Sequence, residues 1–238
     1  MSQIAFISGG DRGIGFAVAN SLAVLGWQVT IASPDLERGA KAAEVLTSRG
    51  LDASFLELDV RQDDSIRRAR EHIDSTGGEL NLLVNSAGIT VPRDQQRSVG
   101  ALRSLCEVNF IGSYALTRAL LPCLNAGAPS CITNVSSGFG SLTELHRALP
   151  DGGRRCDAIA YGISKAAMNA ATAFLAAELS GTGVAVVAVD PGSAATEFND
   201  FRGEYSAEYA AAVVVEYSTV RDDSISGGFF DHNGRVPW

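Results

Sequence analysis

A tyrosine and a lysine, Tyr161 and Lys165, stand four residues apart in the segment AYGISKAA. The flanking run IAYGISKAAMNAATAFLAAEL is alanine-rich and long enough to predict a helix. Positions i and i+4 lie one turn apart on the same helix face, so the phenol and the ammonium are neighbours that could exchange or stabilise a proton. A structural role also remains open, because both side chains can bury an apolar stem and keep a polar tip in water.

Three glycines, Gly9, Gly13 and Gly15, form a GxxxGxG spacing in ISGGDRGIGFAVA, between a short apolar strand and a helix. Glycine lets the main chain turn tightly and approach a phosphate, and the helix N-terminus directs N–H groups at the anion. Turns without a ligand also use glycine. The position of this turn, after the first strand of a βαβ unit, favours a dinucleotide phosphate site.

The elements that must position these residues alternate from the start of the chain. Strand patterns are IAFISG, WQVTIAS, ASFLELDV, LNLLVNSAG, SCITNVSS, VAVVAVDPG and GGFFD. Helical patterns lie between them, including a long helical region over 99–124 that is interrupted by little except Gly112. This order predicts an α/β fold: one doubly wound, mostly seven-stranded parallel sheet with helices on both faces. No linker or repeat divides the chain, so residues 1–238 are expected to form one domain.

Composition excludes several classes of function. The net charge of −8 argues against nucleic acid as a partner. No apolar run approaches the length of a membrane span, and the N-terminal segment MSQIAFISGGDRG is a poor signal peptide. The four cysteines, Cys106, Cys123, Cys131 and Cys156, form no CxxC pair, which predicts reduced thiols, no metal site and a cytoplasmic protein.

Seven segments, in order along the chain, carry a resemblance to a known family. They are SGGDRGIG at 8–15, LDV at 58–60, NSAG at 85–88, VNFIGS around Asn109, NVSS at 134–137, YGISK at 161–165 and DPGSAAT at 190–196. Several are weak alone, but the ordered set is specific. The chain resembles the short-chain dehydrogenase/reductase family over nearly its full length, and its carbonyl-reductase-like branch in particular. The resemblance implies a single Rossmann domain, with the dinucleotide-binding half at about 1–90 and the catalytic half at about 91–238.

The resemblance also implies the cofactor contacts. These are Gly9, Asp11, Arg12, Gly13, Ile14, Gly15, Ser33, Asp59, Val60, Asn85, Ala87, Gly88, Tyr161, Lys165, Pro191, Gly192 and Thr196. NAD-preferring members usually carry an acidic residue at the end of the second strand, which binds the ribose hydroxyls. Ser33 stands at that position here, and Arg12 lies in the glycine turn, where an arginine suits a 2′-phosphate. NADP(H) is therefore expected in preference to NAD(H).

The same resemblance gives the reacting centre. Tyr161 is expected to act as general acid when a carbonyl is reduced and as general base in the reverse direction. Lys165 and an oxidised nicotinamide are expected to lower its pKa from the ordinary value of about 10. Ser137 is expected to bond the substrate oxygen, with Ser136 as the rival. Asn109 is expected to hold a proton-relaying water near Lys165; a helix-interior asparagine bonded to main chain is the alternative.

Two segments beside this centre are expected to shape the substrate site. An insertion at about 138–157, longer than in many relatives, contains His146, Arg147, Arg154 and Arg155, which could meet an acidic substrate or belong to a solvated loop. A lid is predicted at about 193–210. Its aromatic residues, Phe198, Phe201 and Tyr205, could contact an apolar substrate or pack within the protein. Phe198, Ser137 and Tyr161 are the expected substrate contacts.

The resulting hypothesis is an NADPH-dependent oxidoreductase that reduces a ketone or aldehyde to an alcohol. Two alternatives remain: the same fold and cofactor could serve alcohol oxidation, epimerisation or dehydration, and a non-catalytic dinucleotide sensor is also conceivable. A small-molecule carbonyl substrate is expected as the partner. An alanine face on the Tyr161 helix (Ala166, Ala170, Ala173, Ala177) resembles the surface through which family members form homodimers and homotetramers. The same alanines could pack on the sheet, and the insertion could block association and leave a monomer.

Overall fold

The computed structural model describes residues 3–148 and 157–238, which form one sheet covered by helices on both faces. The strands are β1 (Ile4–Ser8), β2 (Gln28–Ser33), β3 (Ala53–Glu57), β4 (Leu82–Asn85), β5 (Ser130–Val135), β6 (Val184–Val189), β7 (Gly228–Asp231) and β8 (Gly234–Arg235). The α-helices are α1 (Gly13–Val24), α2 (Leu36–Thr47), α3 (Asp63–Ser75), α4 (Val99–Cys106), α5 (Ser113–Ala126), α6 (Leu142–Ala148), α7 (Ile159–Glu178) and α8 (Ala207–Thr219).

The strand order is β3-β2-β1-β4-β5-β6-β7-β8. The first seven strands in sequence pair in parallel, as predicted, whereas β8 pairs antiparallel with β7 through Phe230 and Arg235. The eighth strand was not predicted, because two residues are too few to show a period-2 pattern. From β1 to β3 successive strands are added on one side of β1, and from β4 to β7 they are added on its other side, so the order of addition reverses between β1 and β4. In open α/β sheets this switch point opens a crevice at the carboxyl ends of the strands, where ligands bind.

Alternate residues of each strand enter two separate cores. In β1, Ile7 belongs to the core shared with α1, α2 and α8, whereas Phe6 belongs to the core shared with α3, α5 and α7. Every residue of β4, β5 and β6 is buried. Burial on both faces explains why β4 (LLVN) and β6 (VAVVAV) are nearly continuous apolar runs without polar alternation.

The helical region predicted over 99–124 is helical but not α-helical throughout. The segment Glu107–Gly112 between α4 and α5 is a π-helix, and Asn109 lies inside it. The Asn109 side chain bonds both main-chain groups of Ile89: Oδ1 accepts from the N–H at 2.8 Å and Nδ2 donates to the carbonyl at 3.0 Å. A widened turn is common where a side chain must leave the regular helix register to make such contacts.

The insertion predicted at 138–157 is described only in part. A 3₁₀ turn at Gly138–Gly140 is followed by α6. The main chain of Trp238 accepts hydrogen bonds from the N–H of Thr143 (2.9 Å) and its hydroxyl (2.6 Å), so the carboxyl-terminal residues lie against the start of α6. Arg147 bonds Glu144 on the same helix, and His146 is exposed. Arg154, Arg155 and Cys156 lie outside the described residues.

Candidate active site

Strand β5 and helix α7 bring the predicted acid–base residues together. Tyr161 and Lys165 share one face of α7, with the Lys165 Nζ atom 5.7 Å from the centre of the Tyr161 ring. Ser137, two residues beyond the end of β5, lies near enough to Tyr161 for its hydroxyl to lower the pKa of the phenol. Lys165 is only 5 % exposed, and its Nζ donates a hydrogen bond of 2.7 Å to the carbonyl oxygen of Val135.

The two serines after β5 have different environments. Ser136 is buried, and its hydroxyl donates to Oδ1 of Asn169 at 2.5 Å. Ser137 is half-buried beside Tyr161, and its Oγ accepts from the N–H of Phe139 at 3.3 Å. The geometry therefore puts the hydroxyl of Ser137 next to the phenol, while that of Ser136 is used inside the protein.

Burial dominates the acid–base properties of the pair. It raises the pKa of the Tyr161 phenol, the negative charge of Asp190 raises it further, and the hydrogen bond from Ser137 opposes the rise. Burial also lowers the pKa of Lys165 to about 8, against the opposing effect of Asp190. The lowering expected from Lys165 together with an oxidised nicotinamide stays a prediction, because burial dominates the Tyr161 pKa in the protein alone. The phenol is thus protonated at neutral pH.

Asn109 is fully buried and reaches Lys165 only indirectly. Besides its contacts with Ile89, its Nδ2 donates to the hydroxyl of Ser164, the residue before Lys165, at 3.0 Å. A Cβ atom added to Gly88 would lie 3.5 Å from Oδ1 of Asn109 and 3.9 Å from Nζ of Lys165. The side chain therefore does what the alternative expected, bonding main chain. The proton-relaying water remains a prediction.

The glycine turn packs closely against the β4 exit loop. Gly9 and Gly13 have φ angles of 66° and 53°, which favour glycine. A Cβ on Gly9 would lie 2.8 Å from the Cα of Ala87, and one on Gly15 would lie 2.1 Å from the carbonyl oxygen of Gly9. No side chain caps the start of α1, which follows Arg12. The uncapped start of α1 and a surface without Cβ atoms are compatible with a phosphate, and the phosphate site stays a prediction.

The charged groups beside this turn are paired. Nη1 of Arg12 lies 2.6 Å from Oε2 of Glu197, and both side chains are about half exposed. Nε of Arg38 lies 2.8 Å from Oδ2 of Asp11, and its Nη2 lies 3.1 Å from Oδ2 of Asp35. Ser33, at the end of β2, is fully buried and its hydroxyl donates to the carbonyl oxygen of Asp35.

The predicted adenine-side residues divide into two groups. Ala87 and Gly88 line the crevice next to Gly9 and Lys165, and Val60 packs against Gly112. Asp59 is paired with Arg61 (2.7 Å), whose hydrogen bonds lower the pKa of the carboxyl. The Asn85 side chain is buried, and its Nδ2 donates to Thr117 and Asn134, both at 2.9 Å, whereas its Oδ1 has no partner among the described residues. The cofactor contact expected at Asn85 stays a prediction.

The segment after β6 closes the site on its other side. The carboxylate of Asp190 accepts from the N–H groups of Gly138 (2.8 Å) and Gly192 (3.0 Å), which joins the Ser137 loop to the turn at Pro191–Gly192. Thr196 is buried, and a Cβ on Gly13 would lie 3.5 Å from its side chain. Ile14 follows Gly13 in the first turn of α1.

Two phenylalanine rings flank the Tyr161 ring. The Phe198 ring centre lies 5.8 Å from it, and that of Phe139 lies 6.2 Å from it in an edge-on arrangement. Of the other aromatic residues in the predicted lid, Phe201 is 67 % exposed and Tyr205 stacks on Tyr209. A cavity of about 360 Å³ is lined by Val91, Arg93, Gln96, Phe139, Asp157 and Ala158.

Sequence reasoning did not assign roles to three of these residues. Asp190 is part of the DPG segment that was singled out, and Phe139 follows Ser137 closely, so both were within reach of a motif argument. Gln96 belongs to no motif; its position is visible only in the folded chain. Within residues 3–148 and 157–238, no cluster of three histidine, cysteine, aspartate or glutamate side chains could hold a metal ion. In the same residues, no helix combines the length and apolarity that crossing a bilayer requires.

Comparison with known proteins agrees with this architecture. The sequence model described as short chain dehydrogenase matches residues 3–206. A short-chain dehydrogenase of Penicillium roqueforti is 29 % identical over 91 % of this chain and 88 % of its own. Salutaridine reductase from Papaver somniferum superposes with a TM-score of 0.82 and 26 % identity over 97 % of this chain and 99 % of that one. The RhlG/NADP active-site complex of Pseudomonas aeruginosa gives 0.84 and 25 % over 97 % and 94 %. The chain therefore belongs to the short-chain dehydrogenase/reductase family of NAD(P)-dependent oxidoreductases.

Proposed function

We propose that the chain is an NADPH-dependent reductase that converts a ketone or aldehyde into an alcohol, with Tyr161 as the proton donor. The observation that carries the proposal is the grouping of Tyr161, Lys165 and Ser137 where α7 meets the loop after β5, with the Lys165 Nζ atom 5.7 Å from the Tyr161 ring centre. A protonated phenol is the form that general-acid catalysis of carbonyl reduction needs. The similarity to a plant reductase is in accord with this direction.

The chain's own residues have distinct roles in this reaction. The bound nicotinamide cofactor supplies the hydride. Tyr161 gives its phenolic proton to the carbonyl oxygen as charge develops there, and the Ser137 hydroxyl donates a second hydrogen bond to that oxygen. The ammonium of Lys165 stabilises the phenolate left on Tyr161. Asn109 holds the Gly88–Ile89 main chain beside Lys165. Phe198, next to Tyr161, contacts the substrate body.

The groups proposed to hold the cofactor surround the crevice between β1 and β4. The uncapped start of α1 and the surface of Gly9, Gly13 and Gly15 would accept the phosphates. Preference for NADPH is supported by Ser33, which brings no carboxylate to the end of β2, and by the guanidinium groups of Arg12 and Arg38 nearby. The carboxylate of Asp35 would repel a 2′-phosphate. It already accepts a hydrogen bond from the main-chain N–H of Arg38 as the N-cap of α2, and this contact reduces its effect on NADPH.

We also propose association through the outer face of α7. Ala170, Ala173 and Ala177 are exposed, so these alanines do not pack on the sheet. Phe174 on the same helix is 79 % exposed. Small residues around one large apolar side chain permit close approach of a second copy, which favours a homodimer or homotetramer. Sedimentation of the purified chain, with Phe174→Glu as a variant, tests this: the mass should fall to that of one chain in the variant.

The experiment that tests the reaction follows NADPH absorbance with a panel of ketones and aldehydes. Wild type and Tyr114→Phe, which alters an exposed tyrosine of α5, should turn over equally. Tyr161→Phe should lose at least about 100-fold in kcat, because it removes the proton donor, while its NADPH affinity changes little. Deuteride from labelled NADPH should appear on the carbinol carbon. Tyr161→Phe with wild-type turnover, or equal use of NADH, contradicts the corresponding part of the proposal.

A further inference from the structure

A buried glutamine, Gln96, lies between the cavity lined by Val91 and Phe139 and the helix turn that carries Tyr161. Gln96 follows the 3₁₀ turn Arg93–Gln95 and is 4 % exposed, whereas its neighbours Gln95 and Arg97 are exposed. A buried amide is costly unless its oxygen and nitrogen find partners. The contacts that satisfy this amide therefore indicate what it does.

Helix α7 begins without a cap from its own sequence. Ala158 precedes it and offers no side-chain acceptor, so the N–H groups of the first turn need partners from elsewhere. Gln96 provides two of them. Its main-chain oxygen accepts from the N–H of Ala160 at 3.3 Å, and its side-chain Oε1 accepts from the N–H of Tyr161 at 3.1 Å. A residue 65 positions away in sequence thus caps the turn in which the phenol sits.

The other end of the same amide is fixed to the loop after β4. Nε2 of Gln96 donates to the carbonyl oxygen of Val91 at 2.9 Å and lies 3.4 Å from the hydroxyl of Thr90. The opposite amide orientation would direct NH₂ at the Tyr161 N–H and the oxygen at a carbonyl, two unfavourable contacts. The orientation is therefore determined by its partners.

The loop after β4, to which Gln96 donates its hydrogen bonds, also contributes residues to the candidate active site. Ile89, next to Thr90, is held at both main-chain groups by Asn109, and Val91 lines the cavity together with Gln96 and Phe139. One amide thus connects the cavity wall to the main chain of Tyr161. A shift of that wall would move the N–H of Tyr161, and with it the phenol.

We propose that Gln96 is a positioning residue for Tyr161. It caps the first turn of α7 and hydrogen-bonds the main chain of Val91 in the cavity wall, and these contacts set where the phenol meets the substrate oxygen. The inference rests on the proposed function in taking Tyr161 as the proton donor. Misplacement of a reacting group by an ångström costs about 100-fold in rate. Gln96 does not touch the reacting atoms, and its effect is expected through Tyr161 alone.

Three variants separate this role from packing. Gln96→Met keeps the length of the side chain and removes both hydrogen bonds; Gln96→Glu keeps an acceptor oxygen for the Tyr161 N–H and loses the amide donor. Gln95→Met is the matched control, at an exposed glutamine of the same turn. The measurements are amide hydrogen exchange at Tyr161 by NMR, kcat and KM for the carbonyl across pH, and the Kd for NADPH by cofactor fluorescence.

Gln96→Met should speed exchange at Tyr161 at least about tenfold, since the Gln96 Oε1 acceptor of its N–H is lost. It should also lower kcat by about 10- to 100-fold, with the Kd for NADPH within twofold of wild type. Gln96→Glu should recover most of the exchange protection and part of kcat, and Gln95→Met should match wild type.

Wild-type exchange at Tyr161 in folded Gln96→Met overturns the inference, as does faster exchange with unchanged kcat and pH profile, which would make the contact merely structural. Failure of the proposed function has a different signature. If the wild-type chain reduces no carbonyl, that function fails, and the exchange rates alone decide whether Gln96 holds the Tyr161 turn.

Discussion

The Nζ atom of Lys165 donates a hydrogen bond of 2.7 Å to the carbonyl oxygen of Val135, the last residue of β5. This contact joins α7 to the strand immediately before Ser136 and Ser137. Lys165 therefore fixes the relative position of the serine loop and the tyrosine helix as well as carrying a charge near the phenol. The cost of this arrangement is a buried ammonium, which has consequences for stability that can be measured.

Replacement of Lys165 by methionine should change the pH dependence of unfolding. Burial lowers the pKa of Lys165 to about 8 in the folded chain, whereas an unfolded lysine titrates near 10.4. Between these values the unfolded state binds more protons, so wild-type stability rises with pH there by up to about 1.4 kcal/mol per pH unit. Below pH 8 both states are protonated and this slope vanishes.

Urea unfolding of wild type and Lys165→Met at pH 7, 8, 9 and 9.5 measures the effect. The difference in unfolding free energy between the two proteins should stay constant up to about pH 8, then move in favour of wild type. Parallel pH profiles of the two proteins through this range would contradict a lowered Lys165 pKa.

Ser137→Ala and Ser136→Ala should have opposite signatures. Ser137 bonds Tyr161 and is half-buried, so its loss should lower kcat roughly 100-fold with little change in stability. Ser136 donates to the buried Asn169, so its loss should destabilise the fold by about 1 to 3 kcal/mol and leave kcat nearly unchanged. Paired thermal unfolding and steady-state kinetics check both expectations. A larger kcat loss in Ser136→Ala would reverse the assignment.

The fold was largely predictable because its signals are local. Seven strand patterns alternate with helices, and each parallel strand needs a crossover helix, which fixes the architecture. The departures have tertiary causes. The π-helix at Glu107–Gly112 arises where Asn109 leaves the helix register to bond Ile89, a contact twenty residues away in sequence. β8 exists only through its pairing with Phe230.

The site was predictable where a motif fixes a residue type at a spacing, as for Tyr161 and Lys165. It was not predictable where a side chain's direction decides its role. Asn85 ends a strand at the crevice, yet its amide bonds Thr117 and Asn134 inside the sheet layer. The rise in the Tyr161 pKa was missed for a similar reason, because neither the burial of the phenol nor the nearby Asp190 charge is visible from spacing.

Removal of the Glu197 carboxylate should strengthen NADPH binding. Arg12 and Glu197 form an ion pair, and both side chains are about half exposed. Such a pair contributes at most about 1 kcal/mol of interaction free energy. Glu197→Gln frees the guanidinium for a 2′-phosphate, so the Kd for NADPH should fall about two- to fivefold. Arg12→Gln should raise it about tenfold or more, since a hydrogen bond to a charged group is lost. The Kd for NADH should move little in either variant.

Asp200→Asn is the control for the change in charge. It lies in the same segment, its side chain is 82 % exposed, and its nearest cation is Arg202 at 3.8 Å. Fluorescence titration of each variant with NADPH and NADH gives the four affinities. Equal shifts for the two dinucleotides, or an Asp200→Asn effect as large as that of Glu197→Gln, would show that Arg12 does not read the 2′-phosphate.

Alanine at Gly15 should harm both the fold and cofactor binding, although alanine normally favours helices. Its Cβ would lie 2.1 Å from the carbonyl oxygen of Gly9, and both partners are main chain, so the glycine turn itself must move. Overpacking of this kind costs about 1 to 3 kcal/mol, and the displaced turn should lose affinity for either dinucleotide.

At Gly100, in α4, an added Cβ meets only the hydroxyl oxygen of Ser98 at 4.0 Å, so Gly100→Ala should stabilise by about 0.5 to 1 kcal/mol. Urea unfolding and NADPH titration of both variants measure the contrast. Helix propensity favours alanine equally at the two sites, so only the contact with Gly9 distinguishes them. If Gly15→Ala is as stable as Gly100→Ala, the main chain of α1 does not approach Gly9 as closely as 2.1 Å implies.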